Sequence, residues 1–168
     1  MKYVTLVISL FILSVNVSLA QNYNLATISA GAHFAGSTQE VDYDPGFLAS
    51  VSLEPKISSF GNIDLGIDMG IFRSKDGNRN GNKFSFLGGY KQKFFNGKTS
   101  YFISGQLGIV YKGFGYKLAL GAEYKFSKNN LLIFEAFRSG SITTITGDGG
   151  RDGVGSLFGA TVGFGFIY

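Results

Sequence analysis

The chain has one histidine, His33, and no cysteine. A Ser–His nucleophile needs a hydroxyl within hydrogen-bond reach and a third group to orient the imidazole. Neither partner can be placed from the sequence, so His33 reads as an interior or loop-base residue. Gly97-Lys98-Thr99 has the ending of a phosphate-binding loop, but that motif needs a glycine where Gln92 stands and a helix afterwards. The segment reads instead as a hairpin turn. Residues 146–153 are rich in Gly and Asp, and Asp148 and Asp152 could offer oxygens to calcium. Their spacing fits neither an EF-hand nor a Gly-Asp solenoid repeat, and a surface loop is the reading. One histidine without cysteine also excludes a Cys/His metal cluster. No catalytic, cofactor-binding or metal-binding residue is assigned, and no cofactor is expected.

What remains is charge. Glu54, Asp64, Asp68, Lys91, Lys93, Lys117, Glu123, Lys125 and Glu135 stand at alternate positions of segments whose other positions are apolar. Alternation of period two is the mark of a β-strand with two unlike faces. Ile63, Leu65, Ile67, Met69 and Ile71 share one face of their segment, with Asp64, Gly66, Asp68 and Gly70 on the other. Residues 116–126 and 158–168 alternate in the same way. The segment after residue 131 is the least regular, because Arg138 falls on the apolar side.

Eight strands are expected, at 23–35, 46–54, 62–73, 83–95, 99–112, 115–127, 131–143 and 156–168. Asn96-Gly97-Lys98 and Ser127-Lys128-Asn129-Asn130 are tight turns, and residues 55–61 a mid-length one containing Pro55. The links at 36–45, 74–82 and 144–155 are longer and polar, whereas 113–114 is short. Short turns at one end and longer loops at the other are the pattern of transmembrane barrels, with both termini in the periplasm.

Alternation alone also fits a soluble, lipocalin-like barrel whose apolar face points inward. Three features favour the inverted arrangement. The polar face is rich in glycine, which leaves room in the narrow interior of an eight-stranded barrel. It carries both signs of charge, which can neutralise each other when buried. Tyr101, Tyr111, Tyr116 and Tyr124 sit near the ends of the apolar face, where a ring is half buried and its hydroxyl stays wet.

Composition and address agree. Gly is 25 of 168 residues, aromatics are 15% and Pro is only 2, a balance unlike collagen or a disordered linker. Lys2, the apolar run from Val4 to Leu13 and the Ser18-Leu19-Ala20 ending make residues 1–20 a signal peptide, cleaved near Ala20. The run is shorter than the ~20 apolar residues of a spanning helix. The barrel domain is then 21–168. Removing Lys2 leaves 14 basic against 11 acidic residues. These are scattered without a basic block, so nucleic acid is not an expected partner.

An exported, glycine- and aromatic-rich chain of eight alternating strands, ending in Phe164-Gly165-Phe166-Ile167-Tyr168, resembles the bacterial outer-membrane β-barrel domain family. That group includes the small barrels of the OmpX and OmpA type. The resemblance covers the mature chain and implies a monomeric, all-β, eight-stranded antiparallel up-and-down transmembrane barrel. It also implies that Phe164, Phe166 and Tyr168 form the signal read by the barrel assembly machinery. A related class, the outer-membrane lipid A deacylases, has its histidine followed two residues later by Ser-Asn. Here the segment is His33-Phe34-Ala35-Gly36-Ser37, so the pattern fails.

The expected function is therefore a non-enzymatic integral barrel of a Gram-negative outer membrane, supporting the envelope or binding through its outer loops. The alternatives are a lipid-modifying barrel enzyme and a soluble periplasmic carrier. Outer-membrane lipid and lipopolysaccharide are the expected surroundings. The first loop holds Glu40, Asp42 and Asp44, and the second Arg73, Lys75, Asp76, Arg79 and Lys83. The second could meet lipopolysaccharide phosphates or simply be solvated.

Overall fold

A computed structural model describes residues 23–35, 44–58, 61–73, 80–94, 97–110, 113–144 and 156–168. The signal segment, the Gly-Asp stretch at 146–153, Ser37 and most of the outer-loop charges lie outside them. The strands are β1 (Leu25–Ala35), β2 (Gly46–Glu54), β3 (Lys56–Ser58), β4 (Gly61–Arg73), β5 (Asn80–Phe94), β6 (Thr99–Val110), β7 (Gly113–Lys125), β8 (Asn130–Thr144) and β9 (Ser156–Ile167). The short β3 only extends the base of β4. The other eight form a closed barrel: each is antiparallel to its neighbours, β2 pairs with β4, and β1 pairs with both β2 and β9.

The register climbs around the wall. From Ala26 the paired positions run through Leu53, Leu65, Gly88, Leu107, Tyr116 and Gly140 to Ser156. Ser156 lies one step beyond the Leu157–Ala35 pair, ten residues up β1 from the start. A stagger of that size over eight strands tilts them by about 40° and leaves an interior only wide enough for side chains.

The faces are inside out relative to a soluble protein. Leu120 is 64% exposed while its neighbour Ala119 is 4% exposed. The same contrast repeats round the wall: Ile67, Met69, Phe86, Ile103, Leu107, Phe134, Val162 and Phe164 are exposed, whereas Asp64, Asp68, Lys91, Lys93, Lys117 and Glu123 are buried. An apolar belt of this size is tolerable only against lipid. A soluble carrier would keep these side chains inside, so that reading is excluded. Tyr101, Tyr124 and Tyr168 are exposed near the tight-turn end, and Phe34, Phe47, Phe84 and Phe114 near the other, here called the loop end. Tyr111 is outside the described residues.

The structure departs from expectation at strand ends. The strand expected at 83–95 begins at Asn80, and that expected at 115–127 spans Gly113–Lys125. The hydrogen-bonded ladder continues through polar rim residues after the apolar signal has stopped. One consequence is chemical: Lys83, counted among the second loop's charges although it opens the expected strand, lies well inside β5 and points inward, 7% exposed. Several inward glycines make room for neighbouring rings and aliphatic chains. A methyl at Gly159 would lie 2.8 Å from the Phe137 ring, one at Gly165 2.6 Å from Leu131, and one at Gly70 2.6 Å from His33.

The lipid face can be tested at mid-wall, where Leu120 pairs with Ile103 and Ala136. Leu120→Arg should prevent folding into bilayers, since arginine near the midplane costs ~2–4 kcal/mol in such barrels. Ala119→Ser should still insert. Insertion measured by tryptic protection in vesicles checks this, and equal tolerance at both positions would contradict the assignment of faces.

Candidate functional site

The interior is where this sequence concentrates its polar chemistry, and the strands impose its arrangement. Inward positions carry the lysines of β5, β7 and the carboxylates of β2, β4, β7 and β8 into a space of one side-chain width. Lys83, counted with Lys91, Lys93, Lys117 and Lys125, brings the inward lysines of the described residues to five, against the five carboxylates Glu54, Asp64, Asp68, Glu123 and Glu135. The lumen is therefore neutral by composition. Buried charges are tolerable when paired in this way and costly when a partner is missing.

At the turn end Glu54 and Glu123 share two lysines. Lys91 Nζ donates to Glu54 Oε1, and Lys93 Nζ lies 3.1 Å from Glu54 Oε2 and 3.0 Å from Glu123 Oε1. The latter two contacts are ionic rather than aligned hydrogen bonds. Tyr23, just before β1, closes the base. Its hydroxyl donates to Glu123 Oε2 at 2.8 Å, and its ring lies 4.5 Å from Lys93 Nζ and 5.6 Å from Lys125 Nζ. Burial first, and the Glu123 carboxylate next, raise the Tyr23 phenol well above its ordinary range, so it stays a donor. Asn62 Nδ2 ties the same region together by donating to the carbonyls of Tyr23 at 2.9 Å and Glu54 at 3.0 Å. Leu25, Phe102, Leu131 and Ile133 pack beside this network and close the gaps.

Midway up, Lys117 Nζ stands 2.9 Å from Glu135 Oε1 and 3.4 Å from Asp68 Oδ2, with the Phe137 ring 5.0 Å away. Asp64 is buried in the same stretch, without an ion pair to a lysine among the described residues. At the loop end Lys83 Nζ donates to Ser139 Oγ at 2.8 Å. His33 is fully buried and stacks on Phe72 at 4.1 Å between ring centroids.

The structure thus joins Glu54, Lys91, Lys93 and Glu123 in one group and Lys117, Asp68 and Glu135 in another. Lys125 meets the Tyr23 ring, with no carboxylate contact among the described residues. Sequence reasoning missed Tyr23, Asn62, Lys83 and Ser139. Lys83 was accessible by extending the alternation of Phe84 and Phe86 one step back. Tyr23 opened the strand expected at 23–35 but precedes β1 in the structure, and its contacts with Glu123 and Lys93 depend on strands far away in the sequence.

This arrangement suits holding charge still more than moving it. His33 has no serine hydroxyl bonded to it among the described residues, and its ring faces the lumen rather than the lipid. Among the described residues no three His, Asp or Glu gather as a metal site. Phe164, Phe166 and Tyr168 all project outward from the end of β9.

The pairing has a measurable consequence. Glu123→Ala leaves Glu54 as the one carboxylate for both Lys91 and Lys93 and frees the Tyr23 hydroxyl, an undercompensated buried charge that should cost ~3–5 kcal/mol. Lys125→Ala removes no ion pair and should cost ~0–1 kcal/mol. Urea midpoints in detergent or bilayers compare the two; equal midpoints would mean that the inner charges are solvated.

No protein-family model matches the sequence, and no curated protein sequence is similar enough to be a relative. Solved structures share the fold. The crystal structure of Neisserial surface protein A matches with a TM-score of 0.68 at 10% identity, over 86% of this chain and 97% of that one. A de novo designed transmembrane β-barrel matches at 0.57 and 10% identity, over 89% of this chain and 99% of that one. The outer membrane enzyme PagL matches more loosely, at 0.49 and 13% identity, over 86% of this chain and 99% of that one. What the first two likenesses establish is the architecture: the chain is a closed, eight-stranded, antiparallel barrel of the transmembrane kind.

Proposed function

We propose that this protein is a non-enzymatic integral barrel of a Gram-negative outer membrane, exported by its first twenty residues, with the tight turns toward the periplasm and the loops outside. The observation that supports this best is the pairing of an apolar belt around the wall with a filled lumen whose described charges balance. Such a wall needs lipid on every side, and such a lumen offers no continuous water path. The role then falls to the outer loops and the wall, in supporting the envelope or binding a surface partner. Phe164, Phe166 and Tyr168 are free on the outer face of the last strand, where assembly machinery can read them. Against the lipid A deacylase alternative stands the placement of His33, packed on Phe72 inside the barrel, away from where an acyl chain would lie.

Cell fractionation with and without boiling tests the reading. The protein should sediment with outer membranes and migrate differently on a gel before and after boiling. Purified barrel in planar bilayers should pass no steady current. Recovery as a soluble periplasmic protein, or a steady ohmic conductance, would overturn it.

A further inference from the structure

Arg138 is the exception on the lipid face. It is exposed, its β-partners are Leu118 and Phe158, and the outward positions before and after it on β8 are Ala136 and Gly140. Among the described residues the barrel strands present one other outward charge, Arg73, which is the last residue of β4. Arg138 stands six positions before the end of β8, within the apolar belt, and no carboxylate pairs with it among the described residues. An arginine so placed is costly near the midplane and nearly free at the interface.

Its position resolves that tension. The Arg138–Phe158 row lies one same-face step below the Gly140–Ser156 row, the last described row of the β8–β9 ladder toward the loop end. Above Arg138 the wall carries Gly140, with no side chain, flanked by Tyr116 and Ser156. In that row a phenol, a hydroxyl and a bare backbone stand where aliphatic chains are found elsewhere, before exposed Ile142 and Phe114 resume the apolar face above it. A long cationic side chain can therefore extend along the wall to headgroup level. Arginine at that level matches phosphate oxygens through two parallel N–H donors.

We infer that Arg138, with Tyr116 and Ser156 beside it, is a binding site for the phosphate of an anionic lipid in the leaflet at the loop end. The occupant is a phosphomonoester headgroup, whose acyl chains lie against Leu118 and Phe158. The inference rests on the integral-barrel reading and adds a lipid preference to it.

The test uses the full mature barrel, Arg138→Gln and Arg138→Leu, each folded into phosphatidylcholine vesicles with and without a minor fraction of phosphatidic acid, and into phosphatidylcholine with inorganic phosphate in the buffer. Phosphatidic acid should raise the urea midpoint of the wild type and not of either variant. In native mass spectrometry the wild type should retain phosphatidic acid about tenfold better than Arg138→Gln, the size of one charge-assisted hydrogen bond. In pure phosphatidylcholine Arg138→Leu should fold at least as well as wild type. Equal response of wild type and variants to phosphatidic acid overturns the site and leaves the barrel reading intact. Equal protection by inorganic phosphate assigns the arginine to a soluble anion and also overturns it. A wild type that cannot enter phosphatidylcholine at all defeats both readings.

Discussion

An amide or carbonyl in hydrocarbon has no water to bond, and leaving it unpaired costs several kcal/mol. A sheet can enter lipid only if it has no edge. Here that condition is met by β1, which takes Gly46–Glu54 on one side and β9 on the other. Closure makes the first and last strands neighbours, so the end of the chain completes the wall. It also makes the interior a closed volume whose width is set by strand number and stagger rather than by side-chain preference.

The interior follows from that closure. A period-two strand with lipid on one face sends every other residue into the lumen. The lumen cannot be a simple apolar core as well, because a chain apolar on both faces would lose the alternation that specifies its register. Among the described residues it is filled instead by five lysines and five carboxylates, interleaved with rings and leucines for which glycines make space. Two ionic groups at different heights link strands far apart in sequence: Glu54 to Lys91 and Lys93, and Lys117 to Asp68 and Glu135. Such pairs contribute less net stability than their Coulomb attraction suggests, since each charge gave up water. Their evident use is to make one register electrically consistent, because a slip by one residue would place lysines in lipid.

The architecture was legible because a membrane barrel writes its structure in the simplest available code. Ile63 through Ile71 declare a strand and its faces without any tertiary information, and Asn96-Gly97 declares a turn. Ladder ends were not legible: Asn80 and Asn82 read as loop, and Lys83 counted with the loop charges, because the rim is polar whether or not it is hydrogen-bonded. The pairing inside was legible only as a composition of charges. Which lysine meets which carboxylate depends on the stagger around the barrel, which no single strand records. Lys125 illustrates this, since its strand face is plain in the sequence but its neighbour, the ring of Tyr23, is not. Arg138 was visible as an irregularity of its strand, and its surroundings on the wall required the registers of β7 and β9.

The central claim is that lipid touches one set of alternate residues and that neither lipid nor bulk water reaches the other. The absence of cysteine allows a single thiol to be placed at each position from Lys117 to Ala122 in turn and carried on folded barrels in vesicles. Spin labels there report collisions with oxygen, which concentrates in lipid, and with a water-soluble nickel chelate. The account predicts oxygen contact at 118, 120 and 122, and protection from both reagents at 117, 119 and 121. Nickel contact at 117, 119 and 121 would reveal a water-filled channel, and loss of the period-two pattern would contradict the barrel itself.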